Sequence, residues 1–488
     1  MFSGSVEIVF LNLYWYMMLQ EMSRRVLLLI GTLLMAGVCH SQQAVYSFAD
    51  AKRLMLRESD ALKAADASVQ IARKEASKAT AWWWPQVQAD GMYAHLSERV
   101  EVRQPLSQFT DPAKAYVQSI LPSEQLVSGL LDEVGRYTLT LPLLPQDLFS
   151  VGLTAEWVAF SGGKRIFADR MARRVVDMAQ TNSAQVQATE LVLLVERYYG
   201  LALAEQNAVV CRERYEGLRR HYAHAVKLES VGMIDKAARL LAQVAMEEAL
   251  REYQHAQSEV EVGQIALKRL LGMTDQTLLI APSSSLFMST HLPPEELFQA
   301  ALRGSNPTLN ALHLEEQLAG EKLRIDQSAY LPEVALFGKQ TLYAHGLPSN
   351  LFPRTIVGVG FTWSLFDGLE RERQISQTRL VRQSLAWSRE EAESECSIAV
   401  SELYATLLRT ESDVRVLNTT IALNEELLRM RHASFAEGLA TSAEVVDAEN
   451  ALSAVRLARL AAYYAYDVAL ANLLALCGMA DSFENYNR

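Results

Sequence analysis

The chain has 488 residues, half of them apolar and 21% charged, a composition typical of an ordered protein. Its 57 acidic and 46 basic residues give a net charge of -11, which argues against nucleic acid as a partner. No apolar stretch of transmembrane-helix length occurs after residue 40. If the mature chain lies in a membrane, we therefore expect it to do so through β-strands.

The N-terminus has the pattern of an export signal. Two arginines follow Met22 closely, residues 26–38 form an apolar core, and Cys39 begins a short segment of the kind found at cleavage sites. We interpret residues 1–41 as an upstream extension plus a signal peptide that starts at Met22, and we expect the mature chain to begin near Gln42. Lipidation of Cys39 is disfavoured, because the residue before it is a bulky valine.

An internal repeat organises the rest of the chain. Val151 and its neighbours recur 206 residues later as Val357 and its neighbours, whereas Tyr93 recurs 250 residues later as Tyr343. The connection between these two points is therefore 44 residues longer in the first repeat, and such an insertion belongs in a surface loop. We place repeat 1 at 42–281 and repeat 2 at 282–479, followed by a C-terminal tail at 480–488. The external loops would then span about 96–148 and about 346–354.

Proline placement predicts long helices. No proline lies between Pro145 and Pro282 or after Pro353, and each window contains two helical segments separated at a glycine. The descending helix of repeat 1, about 167–227, would be about 90 Å long. In repeat 2 apolar residues recur every seven positions, as in a helix packed lengthwise on its neighbours: Val400, Leu407, Val414, Ile421 and Leu428.

Segments just before these helices alternate with a period of two, which is the pattern of transmembrane β-strands. The apolar positions of the first run from Phe149 to Trp157, and those of the second from Val357 to Leu365. Aromatic residues crowd the strand–helix junctions, as expected at a membrane–water boundary. The predicted interface aromatics are Trp83, Trp84, Trp157, Phe160, Trp363 and Phe366.

The segments 86–95 and 333–344 are interpreted as weaker partners of these strands, which gives two strands in each repeat and four per chain. Four strands cannot close a barrel, since the smallest barrels have about eight, and lipid does not tolerate an open sheet edge. Several copies are therefore expected to share one barrel.

Four motifs stand out at the ends of the predicted elements: Asn306-Pro307-Thr308-Leu309, Leu331-Pro332-Glu333-Val334, Trp363-Ser364-Leu365-Phe366-Asp367-Gly368, and Glu437-Gly438-Leu439 followed by Glu444-Val445-Val446-Asp447-Ala448. With these motifs the chain resembles the TolC-like outer-membrane factor family. The resemblance extends over essentially the whole mature chain.

This resemblance implies an α+β membrane protein. Each two-repeat protomer would contribute four strands to a trimeric 12-stranded outer-membrane β-barrel, continued by a long α-helical barrel in the periplasm. It also implies a homotrimer that contacts outer-membrane lipid, a periplasmic adaptor (membrane fusion) protein and an inner-membrane RND or ABC transporter. The function it implies is that of an exit duct for a tripartite efflux or type I secretion system. No cofactor is expected.

Site residues follow from the resemblance and from the helix ends. Glu444 and Asp447 would form the gate at the lumen constriction, where facing carboxylates should have raised pKa values. Their counterparts in repeat 1 are Ala238 and Leu241. The helical tips expected to contact the adaptor are Gly232, Met233, Gly438 and Leu439. The glycines also fit a simpler role, as left-handed residues that end a helix.

No motif for catalysis or for phosphate binding occurs in a suitable context, so we do not expect an enzyme. His221 and His224 are spaced to share a helix face, but no third metal ligand is evident. Three widely spaced cysteines after Cys39 indicate neither a disulfide framework nor a zinc site. The alternative function is a soluble periplasmic coiled-coil scaffold or adaptor, which would lack barrel strands.

Overall fold

The computed structural model describes residues 44–120, 125–273, 279–289, 292–347 and 353–486. The predicted signal peptide and Cys39 lie outside the described residues, as does most of the predicted loop at 346–354. The described chain is mostly helical with eight strands, and it divides into two compact units. One unit combines residues up to 67 with 181–310 and 391 onward, and the other combines 68–180 with 311–390.

The second unit is built on a four-stranded antiparallel sheet. Its strands are β2 (Gln86–His95), β5 (Asp147–Ser161), β7 (Glu333–His345) and β8 (Thr355–Thr362), in the order β2-β5-β7-β8. Each repeat thus supplies two strands. Within the sheet β2 and β8 are paired on one side only, so both edges carry backbone groups that are free to pair further.

The two faces of this sheet differ in polarity. The register aligns the apolar positions of neighbouring strands, because Val87 is paired with Ala155 and Trp157 with Leu336, which is in turn paired with Val359. This face is strongly exposed on β8, where the exposed fractions are 81% for Val357, 67% for Val359 and 76% for Phe361.

The opposite face of the sheet is polar. Thr154 donates a hydrogen bond of 2.7 Å to the Asp90 carboxylate, and Lys339 forms an ion pair of 3.5 Å with the same group. The predicted alternation of apolar and polar positions is therefore realised as one apolar and one polar face.

The long connection of repeat 1 is not an irregular loop. It contains β3 (Val100–Pro105), α3 (Ser107–Ile120), α4 (Gln125–Gly135) and β4 (Thr138–Leu144), with β3 and β4 paired as an antiparallel ribbon. The length of the insertion favoured a loop from the sequence, but Pro105 ends a strand and Pro112 lies inside α3.

Helices supply the rest of the second unit's framework and most of the first unit. In chain order they are α1 (Phe48–Glu58), α2 (Asp60–Ala81), α5 (Lys164–Ser230), α6 (Lys236–Leu270), α7 (Glu295–Ser305), α8 (Pro307–Ser328), α9 (Glu370–Ala436) and α10 (Ser442–Leu476). A 3₁₀ helix, Ala480–Tyr486, follows α10, and the short strands β1 (Ala44–Tyr46) and β6 (Ile280–Pro282) pair in parallel. Both α5 and α9 have 67 residues.

The predicted seam of α9 is buried over most of its length. Val400, Leu407, Val414 and Ile421 are buried, whereas Leu428 at its end is only partly buried. Val400 and Leu407 join a core with side chains from α1, α5, α7 and α10, among them the fully buried Tyr198. Burying these apolar side chains contributes about 25 cal/mol for each Å² removed from water, which is the main force holding such helices together.

Among the described helices, none is long and apolar enough to cross a membrane. Cys211, Cys396 and Cys477 are free thiols, and the first and last are buried.

Candidate functional site

Two short turns connect the long helices in pairs, one between α5 and α6 and one between α9 and α10, and both have the same backbone geometry. Gly232 follows α5 with a φ of 73°, and Gly438 follows α9 with a φ of 74°. In each turn the next residue donates its backbone N–H to a carbonyl one helical turn earlier, Met233 to Leu228 at 2.9 Å and Leu439 to Ser434 at 2.8 Å. This left-handed ending is favourable for glycine, which has no Cβ to clash.

The two tips are exposed and lie beside each other. Met233 is 54% exposed and Leu439 is 77% exposed. A Cβ placed on Gly438 would be 3.4 Å from the Met233 methyl group, whereas one placed on Gly232 would meet nothing within 4 Å. Together the turns therefore present one surface with two large apolar side chains, as expected for a protein contact.

The predicted gate residue Glu444 lies in the first turn of α10, where it forms a capping box. Its backbone N–H donates to the Thr441 hydroxyl, and its carboxylate accepts the backbone N–H of Thr441 at 2.8 Å. The same carboxylate is 3.1 Å from the Arg431 guanidinium. Asp447, three residues further on, is exposed.

Within one chain these contacts lower the pKa of Glu444, chiefly because its carboxylate accepts the hydrogen bond from the Thr441 backbone, and Arg431 acts in the same direction. The raised pKa expected for facing carboxylates in a trimer stays a prediction. The simpler interpretation, an acid that caps a helix start, therefore holds for Glu444 within one chain. Whether the two acids line a constriction remains a prediction.

The first repeat caps its return helix differently. Asp235 accepts the backbone N–H of Ala238 at 2.8 Å, so the carboxylate sits at the cap and the position aligned with Glu444 is an alanine. Leu241 is half-exposed, at 42%. Of the two return helices, only α10 carries the predicted pair of acids.

His221 and His224 do not form a common site. The His221 ring is buried 4.5 Å from the Phe435 ring, and its Nε2 is 2.7 Å from the Ser442 hydroxyl. Burial is the main cause that lowers the pKa of His221 to about 4, so the ring is neutral at physiological pH. His224 is exposed. Within the described residues no cluster of metal-ligating side chains occurs.

A third candidate site is the junction between strand and helix, which the structure builds twice. The Trp157 indole N–H donates to the Trp83 carbonyl at 3.1 Å, and the Trp363 indole N–H donates to the Tyr330 carbonyl at the same distance. The arrangement ties the end of β5 or β8 to the segment that follows α2 or α8.

An arginine completes each junction. The Arg165 guanidinium lies 5.3 Å from the centre of the Trp83 ring, and the Arg371 guanidinium lies 4.9 Å from the Tyr330 ring. The sequence repeat aligns Arg165 with Arg371, but it did not predict that each arginine contacts an aromatic ring. The shared position of the two arginines, second in a long helix, is the sequence signal that could have pointed to these contacts.

The predicted interface aromatics remain accessible at both junctions. The exposed fraction is 74% for Trp84, 47% for Phe160 and 79% for Phe366. Trp157 and Trp363 expose part of their rings while their N–H groups are hydrogen-bonded. A side chain with one apolar and one hydrogen-bonded end suits a boundary between lipid and water.

Comparison with known proteins agrees with these observations. Residues 299–479 match the family described as outer membrane efflux protein. No curated protein matches the sequence. Among solved structures, VceC of Vibrio cholerae has a TM-score of 0.70 at 16% identity, over 88% of this chain and 96% of that one. CmeC of Campylobacter jejuni has a TM-score of 0.67 at 13% identity, over 90% and 89%. MtrE of Neisseria gonorrhoeae has 0.62 at 17%, over 89% of each chain.

The fold is therefore that of outer-membrane channels. The match of residues 299–479 to the outer membrane efflux protein family agrees with the predicted resemblance to TolC-like outer-membrane factors and with the predicted outer-membrane location.

Proposed function

We propose that this protein is the passive exit duct of a tripartite efflux or type I secretion system. In this proposal three copies close one twelve-stranded barrel in the outer membrane and extend a helical tube into the periplasm. The duct lets substrates pass from a periplasmic pump–adaptor assembly to the exterior, and it performs no covalent chemistry.

The observation that carries the proposal is the four-stranded sheet with two open edges. Its apolar face is exposed, and on β8 more than 60% of each of Val357, Val359 and Phe361 is accessible. Water does not favour such a face, and lipid does not tolerate open edges. Both problems are solved if further copies pair with β2 and β8 to close a barrel whose apolar face meets lipid.

The competing function, a soluble coiled-coil scaffold, does not account for this sheet. A scaffold needs the long helices but has no use for an exposed apolar sheet face. The family match also supports the duct, because it covers β7, β8, α9 and α10.

The proposed partners follow from the exposed helix tips. The apolar tip surface of Met233 and Leu439 is suited to an adaptor, and the adaptor would connect the duct to an inner-membrane transporter of the RND or ABC class.

A matched pair of variants tests which face of the sheet meets lipid. Val359→Arg places a charge on the apolar face, where it should oppose membrane insertion by about 2–4 kcal/mol at mid-bilayer depth. Ile356→Arg places the same charge on the opposite face of the same strand and should be tolerated. The measurement is the yield of folded protein in phospholipid vesicles, followed by single-channel recording of the folded fraction.

The expected result is unitary conductance steps from wild type and Ile356→Arg, with little folding of Val359→Arg. Equal folding yields for the two variants would contradict the assignment of the lipid face. Folded, vesicle-inserted wild type that never conducts would contradict the duct.

A further inference from the structure

The two junctions differ in charge even though they share one geometry. Ser161, the last residue of β5, is aligned 206 residues later with Asp367, which lies between β8 and α9. The first position of the long helix is Lys164 in repeat 1 and Glu370 in repeat 2. The arginine that follows is common to both. Compared with repeat 2, repeat 1 therefore has a serine in place of the Asp367 carboxylate and a lysine in place of Glu370.

In repeat 2 the arginine is neutralised inside the chain. The Arg371 Nε lies 2.7 Å from an Asp367 carboxylate oxygen, although the N–H direction makes this contact an ion pair and not a hydrogen bond. Its other nitrogens donate to the carbonyls of Ala329 at 3.2 Å and Leu365 at 3.3 Å. Nothing further is required to compensate its charge.

In repeat 1 the corresponding arginine lacks these partners. Arg165 is only 8% exposed, and one terminal guanidinium nitrogen is buried with no hydrogen-bond partner among the described residues. Its contact with the Trp83 ring does not satisfy an N–H group. A buried cation without a hydrogen-bonding anion is costly, so an external anion would be bound strongly here.

Arg165 lines a cavity of about 300 Å³. Lys164 adds a second cation, and the N-terminus of α5 adds the positive end of a helix dipole. The rings of Trp82 and Trp84 form apolar walls, and both are exposed.

Two carboxylates, Glu156 and Glu333, also line this cavity. Neither they nor Lys164 form an ion pair within the part of the chain that the structure describes. A simple anion would be repelled by these acids. A ligand that carries both a phosphate and an ammonium group matches all the charges, with the ammonium held by the carboxylates and by the tryptophan faces.

We propose that this cavity binds the phosphoethanolamine headgroup of a phospholipid, with the phosphate on Arg165 and Lys164 and the ammonium on Glu156 and Glu333. The inference rests on the placement of the aromatic junction at the membrane boundary, which is part of the proposed function. The equivalent position of repeat 2 binds no lipid in this proposal, because Arg371 already forms an ion pair with Asp367.

Native mass spectrometry of delipidated, detergent-solubilised protein tests the proposal without requiring channel activity. Dioleoyl-phosphatidylethanolamine and dioleoyl-phosphatidylglycerol are titrated separately, with inorganic phosphate as a competitor. Wild type should retain the ethanolamine lipid with at least about tenfold higher affinity than the glycerol lipid, since the extra ammonium forms charge-assisted hydrogen bonds.

Ser161→Asp is the decisive variant, because it restores to repeat 1 the carboxylate spacing that neutralises Arg371. It should preserve the fold and weaken retention of the ethanolamine lipid by about tenfold or more. Arg165→Gln should do the same, and Glu370→Gln, at the matched exposed position of repeat 2, should not change binding. The double variant Glu156→Gln, Glu333→Gln should lose the preference for ethanolamine over glycerol.

Equal affinity of wild type and Ser161→Asp for the ethanolamine lipid would overturn the proposal. So would equal affinity of wild type for the two lipids, or displacement of the lipid by inorganic phosphate at similar concentration, which would indicate a phosphate site without lipid specificity. Each of these results leaves the conductance test of the duct unaffected.

Discussion

The tip formed by the two glycine turns allows the backbone role of Gly438 to be separated from its contact role. Gly438→Ala keeps the tip small but places a Cβ on a residue with a φ of 74°, which costs about 1 kcal/mol. The new Cβ would lie 3.4 Å from the Met233 methyl group, an ordinary contact, so no further steric cost is expected. Gly232→Ala has the same backbone cost and open space around the Cβ.

A cost of about 1 kcal/mol corresponds to about fivefold more frequent opening of the turn. Hydrogen exchange of peptides that cover the α9–α10 turn should therefore accelerate about fivefold in Gly438→Ala, and peptides at the other turn should respond similarly in Gly232→Ala. Export in cells and cross-linking to an adaptor should remain close to wild type in both alanine variants.

Gly438→Arg has a similar backbone cost but adds a long charged side chain beside Met233. If the tip contacts the adaptor, this variant alone should lose cross-linking and export. Intact export in Gly438→Arg would remove the contact role. Equal loss in Gly438→Ala and Gly438→Arg would show that turn geometry, and not contact, is what function requires.

Three further predictions concern other residues. Glu444→Gln combined with Asp447→Asn should weaken cation selectivity, seen as a smaller reversal potential under a salt gradient, while assembly is unchanged. Trp363→Phe and Trp157→Phe each remove one indole hydrogen bond and should cost about 1 kcal/mol of stability, measured by denaturant unfolding from detergent. Between about pH 6.5 and about pH 4, His221 is neutral in the folded chain but takes up a proton in the unfolded one. Protection of the tips against hydrogen exchange should therefore fall as the pH drops through this window, and His221→Asn should flatten this dependence.

Each of these has a contrary result. An unchanged reversal potential would show that the two acids do not line the conduction path. A tryptophan variant as stable as wild type would show that its indole hydrogen bond does not contribute to stability. For His221, protection that rises as the pH falls through that window would reverse the sign of the linkage.

The sequence predicted the repeated architecture well because both of its signals are periodic. The predicted seam is buried from Val400 to Ile421 and only partly buried at Leu428. Strand alternation placed Val357 and Phe361 on one exposed apolar face. Glycine at both tips indicated the left-handed turns, because few other residues adopt a positive φ without strain.

Other features depend on partners distant in sequence, which periodicity does not reveal. The capping of α10 by Glu444 and its ion pair with Arg431 involve two helices, so the sequence did not predict that both contacts lower the pKa of Glu444 within one chain. The α3–α4 insertion was interpreted as a surface loop, because the repeat comparison showed only that 44 extra residues lie there and gave no pattern for their structure. The unpaired state of Arg165 depends on a contact that periodicity does not show. In repeat 2 Asp367 pairs with Arg371, and the residue aligned with Asp367 in repeat 1 is Ser161.

The central claim is that copies of this chain close a shared barrel across the open edges of β2 and β8, and the mass of the detergent-extracted complex tests it most directly. Native mass spectrometry of protein purified from outer membranes should give three times the mass that the same sample shows after denaturation. A monomer under conditions that keep the chain folded would contradict the account, because the two sheet edges would then remain unpaired.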